Sequence, residues 1–161
     1  MIIIVSFFSF VFDFFFSYFF RDSLFLPLII LTSIVILRPY FKRVNYYYLF
    51  CFIFGLFYDL IYTGNYFMSS ALFLIIGLLI CFISANMPNN VFVSIFEVII
   101  SIVLYRAMCF IFLFLNGIIS FSLNLLLKSI YCSLITNIIY GVLLYFILYF
   151  VSKKFKIERI N

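Results

Sequence analysis

Long apolar runs separated by short polar clusters organise this chain, and the runs are too continuous to be one face of a soluble fold. The first, over residues 2–20, is long enough to span a bilayer and is followed by Arg21-Asp22. It lacks a basic leader and a small-residue cleavage site, so it reads as an uncleaved helix. A shorter run over 24–37 carries Pro27 in its first turn, where proline is tolerated. The loop Arg38-Pro39-Tyr40-Phe41-Lys42-Arg43 ends it. Further helices are expected over 46–62, 66–85, 91–116 and 129–151. Thr63-Gly64-Asn65, Asn86-Met87-Pro88-Asn89-Asn90 and a mixed stretch over 117–128 separate them. The mixed stretch reads either as an interfacial segment or as an extension of a neighbouring helix. The pattern predicts an all-α polytopic membrane protein, a single integral membrane domain over 1–161 with six transmembrane helices.

Composition strengthens that reading. The 161 residues are 69% hydrophobic and 9% charged, against about 45–50% and about 25% in an ordinary globular chain. The net charge of +5 sits mostly at helix ends, where basic residues set topology, so nucleic acid is not expected as a partner. With the N-terminus inside, the inner loops hold Arg38, Lys42, Arg43, Lys153, Lys154, Lys156 and Arg159, and the outer loops hold only Arg21 and Lys128. This asymmetry predicts that both termini are cytoplasmic, and five helices would leave one basic cluster outside.

Chemistry is sparse. Histidine is absent, which removes the commonest general base and metal ligand. Cys51, Cys81, Cys109 and Cys132 are isolated in apolar runs and read as small packing residues. The 27 phenylalanines and 13 tyrosines fit an AT-biased genome, and the stretch from Phe7 to Phe20 reads as lipid-facing filler. No metal or cofactor is expected.

The informative residues are charges at membrane depth, which need a partner or a task. At about 1.5 Å of rise per residue, Asp59 lies roughly 20 Å and Arg106 roughly 22 Å from the inner surface. They reach nearly the same level, so an ion pair between them is the natural expectation. Asp13, roughly 16 Å deep, is placed to join them. Glu97 lies near the cytoplasmic boundary, where it either snorkels or faces a partner helix. Gly55, Gly77 and Gly141 are positioned to let helix backbones approach closely.

Gly55-Leu56-Phe57-Tyr58-Asp59, then Gly64, then the apolar run from Met68 to Ile80, resembles the central signature of the rod shape-determining MreD family. Pro27 opening a short second helix is similar to the family pattern, as is Asn137 in Thr136-Asn137-Ile138-Ile139-Tyr140-Gly141 ahead of a basic tail. The chain departs from the pattern at Cys51, where a glycine is often found, and near Phe67, where a second glycine is expected after Gly64. The resemblance implies a non-enzymatic component of the bacterial elongation machinery in the inner membrane. It further implies binding to the bitopic protein MreC and, through it, to the cytoskeletal MreB and the wall synthases. It also implies a fold similar to the substrate-binding subunits of energy-coupling-factor transporters.

Such a small-molecule-binding subunit is the alternative reading. The Phe-rich first helix, without AxxxA spacing, and the few polar groups in the outer half count against it. An intramembrane aspartyl peptidase would need two aspartates in their own polar motifs, and neither Asp13 nor Asp59 has one. Serine and cysteine nucleophiles lack a histidine base.

Overall fold

The computed structural model describes residues 2–19, 28–63, 67–88, 90–120 and 122–155. Among them are six α-helices, each built from one apolar run of the sequence. They are α1 (Ile2–Phe19), α2 (Ile29–Leu37), α3 (Val44–Tyr58), α4 (Met68–Asn86), α5 (Val91–Leu115) and α6 (Leu123–Lys154). A 3-10 turn over Arg38–Tyr40 extends α2, with Pro39 inside it, and a π turn over Asp59–Thr63 extends α3.

Five of these helices are long and apolar enough to cross a membrane, and the protein is an all-α membrane protein. The sixth is shorter among the described residues. With its 3-10 turn, α2 covers Ile29–Tyr40, a rise of roughly 18 Å against a hydrocarbon core of about 30 Å. Every residue of α2 is buried. A helix wrapped in protein on all sides has its length set by its neighbours rather than by the lipid. The expected start at residue 24, with Pro27, lies outside the described residues.

In the last connection, the second of the two readings of the mixed stretch holds for residues 123–128. Asn116 and Gly117 turn the chain after α5, and Ser122 caps α6 by accepting a hydrogen bond from the Leu125 amide at 3.4 Å. Residues 123–128 therefore belong to α6, which is 32 residues long. The N-terminal half of the mixed stretch is a loop and the C-terminal half is helix.

Side-chain pairs fix how the helices run. Ser9 meets Ser33 while Asp13 meets Ile29, so α1 and α2 are antiparallel. Asp59 meets Ser69 while Cys51 faces Gly77, so α3 and α4 are antiparallel. Ser84 meets Glu97 while Ser69 meets Tyr105, which gives the same for α4 and α5. Asn137 lies against Leu28 and Gly141 against Ile36, so α6 runs parallel to α2. The start of α1, the end of α2, the start of α3 and the end of α6 thus share one end of the bundle. Arg38, Lys42, Arg43, Lys153 and Lys154 lie at that end, and Lys128 lies at the other.

The bundle is apolar outside, and its interior combines an apolar core with buried polar groups. In α1 the buried residues are Ser6, Ser9 and Asp13, spaced along one face, while Phe7, Phe8, Phe12, Phe14 and Phe15 are exposed. This is the arrangement lipid favours, because exposed phenylalanine costs nothing there and a polar group must find a protein partner. α2 lies at the centre, contacting α1, α4, α5 and α6. Its Leu31, Val35 and Leu37 pack in a core with Tyr47, Phe73, Ile80, Ile102 and Leu148.

Candidate functional site

Tyr47, Cys51, Gly55 and Asp59 recur every four residues on α3 and are all buried, so they form one stripe facing α4. At Gly55 the two backbones touch. A Cβ there would collide with Ser70 Cα and lie 2.9 Å from both the Ser69 carbonyl oxygen and the Ser70 nitrogen. One turn further on, Asp59 reaches over the start of α4. Its Oδ1 accepts from the Ser69 amide at 2.8 Å and its Oδ2 from the Ser70 amide at 3.0 Å.

The first amides of a helix have no partner within the helix, and its dipole places partial positive charge there. A carboxylate at that point is held by the same interactions that bind anions at helix N-termini. Gly55 and Asp59 therefore work as a unit: the glycine admits the α4 backbone, and the acid ties down its free amides. Ser69 Oγ lies 3.1 Å from the Tyr105 hydroxyl, joining α5 to the same point.

Asp13 does the same between α1 and α2. Its Oδ1 accepts from the Ile29 amide at 2.9 Å and its Oδ2 from the Ile30 amide at 3.0 Å. The α2 N-terminus has a second acceptor from α6. Asn137 Oδ1 accepts from the Leu28 amide at 3.1 Å and from Thr32 Oγ1 at 2.9 Å. Asn137 Nδ2 donates to the Ser133 carbonyl oxygen at 2.7 Å, which orients the side chain. Three helices thus meet at the beginning of α2.

Asp59 and Arg106, paired in the sequence reading, each have partners on a neighbouring helix. Both Asp59 oxygens accept from α4 amides, so the helix N-terminus is a partner that the sequence reading did not name. Arg106 Nη2 donates to Ser133 Oγ at 3.3 Å, and Ser133 Oγ also accepts from Asn137 Nδ2 at 3.3 Å. Arg106 is therefore linked through Ser133 to Asn137 and the α2 cap. Gly64 lies outside the described residues.

Sequence reasoning did not single out a cluster of three hydroxyls from three helices. Ser33 Oγ lies 2.7 Å from Ser9 Oγ and 3.0 Å from the Tyr140 hydroxyl, and Ser9 Oγ lies 2.9 Å from that hydroxyl. The available signal was the i, i+3, i+7 spacing of Ser6, Ser9 and Asp13 within a run of phenylalanine. Near the basic end a further polar layer joins helices. Arg38 Nε donates to Cys81 Sγ at 3.0 Å, with its guanidinium 5.7 Å from the centroid of Tyr47. Glu97, placed by sequence near that boundary, faces a partner helix, accepting from Ser84 Oγ on α4 at 2.8 Å.

Comparison with family models, with curated proteins and with solved structures finds no match for the chain.

Proposed function

We propose that this protein is a non-enzymatic membrane scaffold of the bacterial cell-elongation machinery, related to the rod shape-determining MreD family. In this reading it binds MreC in the inner membrane and, through MreC, supports MreB and lateral wall synthesis. The observation that carries the proposal is the coupling of Gly55 to Asp59 across the α3–α4 contact. The short signature on which the resemblance rests has a physical reason to stay together, since the glycine brings in the backbone whose amides the acid holds.

Two departures from the family pattern have local explanations that support the same reading. Phe67, near the position where a glycine is expected, has φ +68°, the left-handed conformation that glycine adopts without penalty. Cys51, where another glycine is often found, lies against Gly77, so one of the two facing positions still lacks a side chain. The basic residues gathered at one end of the bundle favour that end as cytoplasmic, with both termini there. The polar groups of the interior join helix to helix, and the outward surface is rich in exposed phenylalanine and leucine. Work by such a protein is done where helix faces meet other membrane segments.

Depletion of the protein in its native bacterium tests the proposal. Rod-shaped cells are expected to become round, and MreC is expected to be lost from the isolated elongation complex. Normal shape on depletion, with the protein co-purifying instead with a paired ATPase and coupling subunit and binding a vitamin, would replace the scaffold with the transport reading.

A further inference from the structure

A groove of about 510 Å³ opens sideways from the bundle between the start of α1 and the start of α3. Ile2, Phe41, Leu49, Phe50 and Ile53 form its apolar wall. Tyr46, which also lines it, has the Arg43 guanidinium 5.8 Å from its ring centroid. Arg43 and the adjacent Lys42 are exposed. They sit where the helices begin, at the level where tyrosine and basic side chains meet the lipid headgroups.

These two charges have no acidic neighbour among the described residues. Asp13 and Asp59 are committed to helix N-termini, and Glu97 is buried against Ser84. Arg38, in the same loop, is turned inward onto Cys81 and Tyr47. Among the described residues, what remains is an apolar trough with two exposed positive charges beside it, Arg43 lying over the ring of its lining residue Tyr46. Its complement is a molecule with an apolar tail and an anionic head joined at the interface. A transmembrane helix about 10–12 Å across matches the trough less well, because it places no phosphate at the mouth.

We propose that this groove is a binding site for an anionic phospholipid, with one acyl chain along Leu49, Phe50 and Ile53 and the phosphate on Lys42 and Arg43. The site belongs to the leaflet this end faces and does not depend on the scaffold reading. Basic pockets between membrane helices bind anionic headgroups through the same electrostatics.

Native mass spectrometry of the full chain, released from nanodiscs holding equal amounts of phosphatidylglycerol and phosphatidylcholine with identical tails, tests this. Phosphatidylglycerol should be retained over phosphatidylcholine on the order of tenfold. The double variant Lys42→Ala/Arg43→Ala should bring the two lipids to near parity, while Lys42→Arg/Arg43→Lys keeps the preference. Leu49→Trp, which fills the trough and leaves the charge, should remove the retained lipid. Lys153→Ala/Lys154→Ala, at the same end on α6, should change nothing. Equal retention of both lipids by the unaltered protein overturns the proposal. So does persistence of the preference in Lys42→Ala/Arg43→Ala, or an equal loss in Lys153→Ala/Lys154→Ala.

Discussion

The α1–α2 and α3–α4 hairpins solve one problem in two ways. In each, a buried aspartate on the first helix holds two consecutive amides at the start of the second, at distances that differ by no more than 0.1 Å between corresponding contacts. Around that shared device the seams diverge. One turn before Asp59 stands Gly55, and the α3 and α4 backbones touch there. One turn before Asp13 stands Ser9, and hydroxyls from α1, α2 and α6 fill the seam. The first hairpin is held by polar contacts on a helix otherwise bathed in lipid, and the second by backbone contact. In a bilayer, apolar packing against protein gains little over apolar packing against lipid. A carboxylate can therefore anchor a whole helix.

Removing each carboxylate is the most disruptive test of this comparison. Asp59→Ala leaves two α4 amides without this acceptor at membrane depth, a loss of about 2–6 kcal/mol at about 1–3 kcal/mol per unsatisfied group. Asp59→Asn keeps an acceptor oxygen and should recover part of it. Asp13→Ala leaves the Ile29 and Ile30 amides without their acceptor and should cost about the same, roughly 2–6 kcal/mol, although Asn137 still holds the adjacent Leu28 amide. It should nevertheless release α1. With the four native cysteines replaced by alanine, a Ser9→Cys/Ser33→Cys pair should cross-link readily and lose most of that yield when Asp13→Ala is added. Unchanged cross-linking would break the distinction between the hairpins.

The seams themselves give the next effect. Gly55→Ala forces a methyl group into the α4 backbone and should cost about 1–3 kcal/mol, read as a lowered thermal midpoint in detergent. Ser9→Ala, the matching change in the other hairpin, removes a hydroxyl without adding volume. Interhelical hydrogen bonds in membranes average about 0.6 kcal/mol, so its loss should be the smaller one. If Ser9→Ala proves the costlier, the first hairpin is as tightly packed as the second.

The helices and the need for a partner at Asp59 were legible because hydropathy and buried charge are local properties of the chain. Asn137 was marked only by resemblance, and its task became visible when α6 was placed against Leu28 and Thr32. What eluded sequence reasoning was a second kind of partner for Asp59, the α4 amides. Arg106 was the visible opposite charge at the right depth, whereas a helix N-terminus carries its positive end on backbone amides and leaves no residue type to read. The task of Asp13 was hidden for a second reason. Its partner amides begin at Ile29, while the apolar run begins near residue 24, so matching depths by run boundaries misplaces the start of α2. The shortness of α2 was legible in its apolar run, but its complete burial among the other helices was not.

The smallest effect sharpens the comparison at the two helix starts. The residue preceding α4 is Phe67 at φ +68°, and the residue preceding α2 is Leu28 at φ −111°. A side chain in the left-handed region costs about 1–2 kcal/mol, and the Phe67 side chain is 60% exposed, so little packing offsets that cost. Phe67→Gly should therefore raise stability by about 1 kcal/mol, and Phe67→Ala, which keeps a Cβ in the same conformation, should not. Leu28 has no such strain and is 1% exposed. Leu28→Gly should lower stability, by lost core volume and added chain freedom. A thermal midpoint that rises for Phe67→Gly and falls for Leu28→Gly would place strain at the start of α4 alone. A fall in both would mean that the Phe67 ring stabilises the α4 start more than its backbone conformation costs.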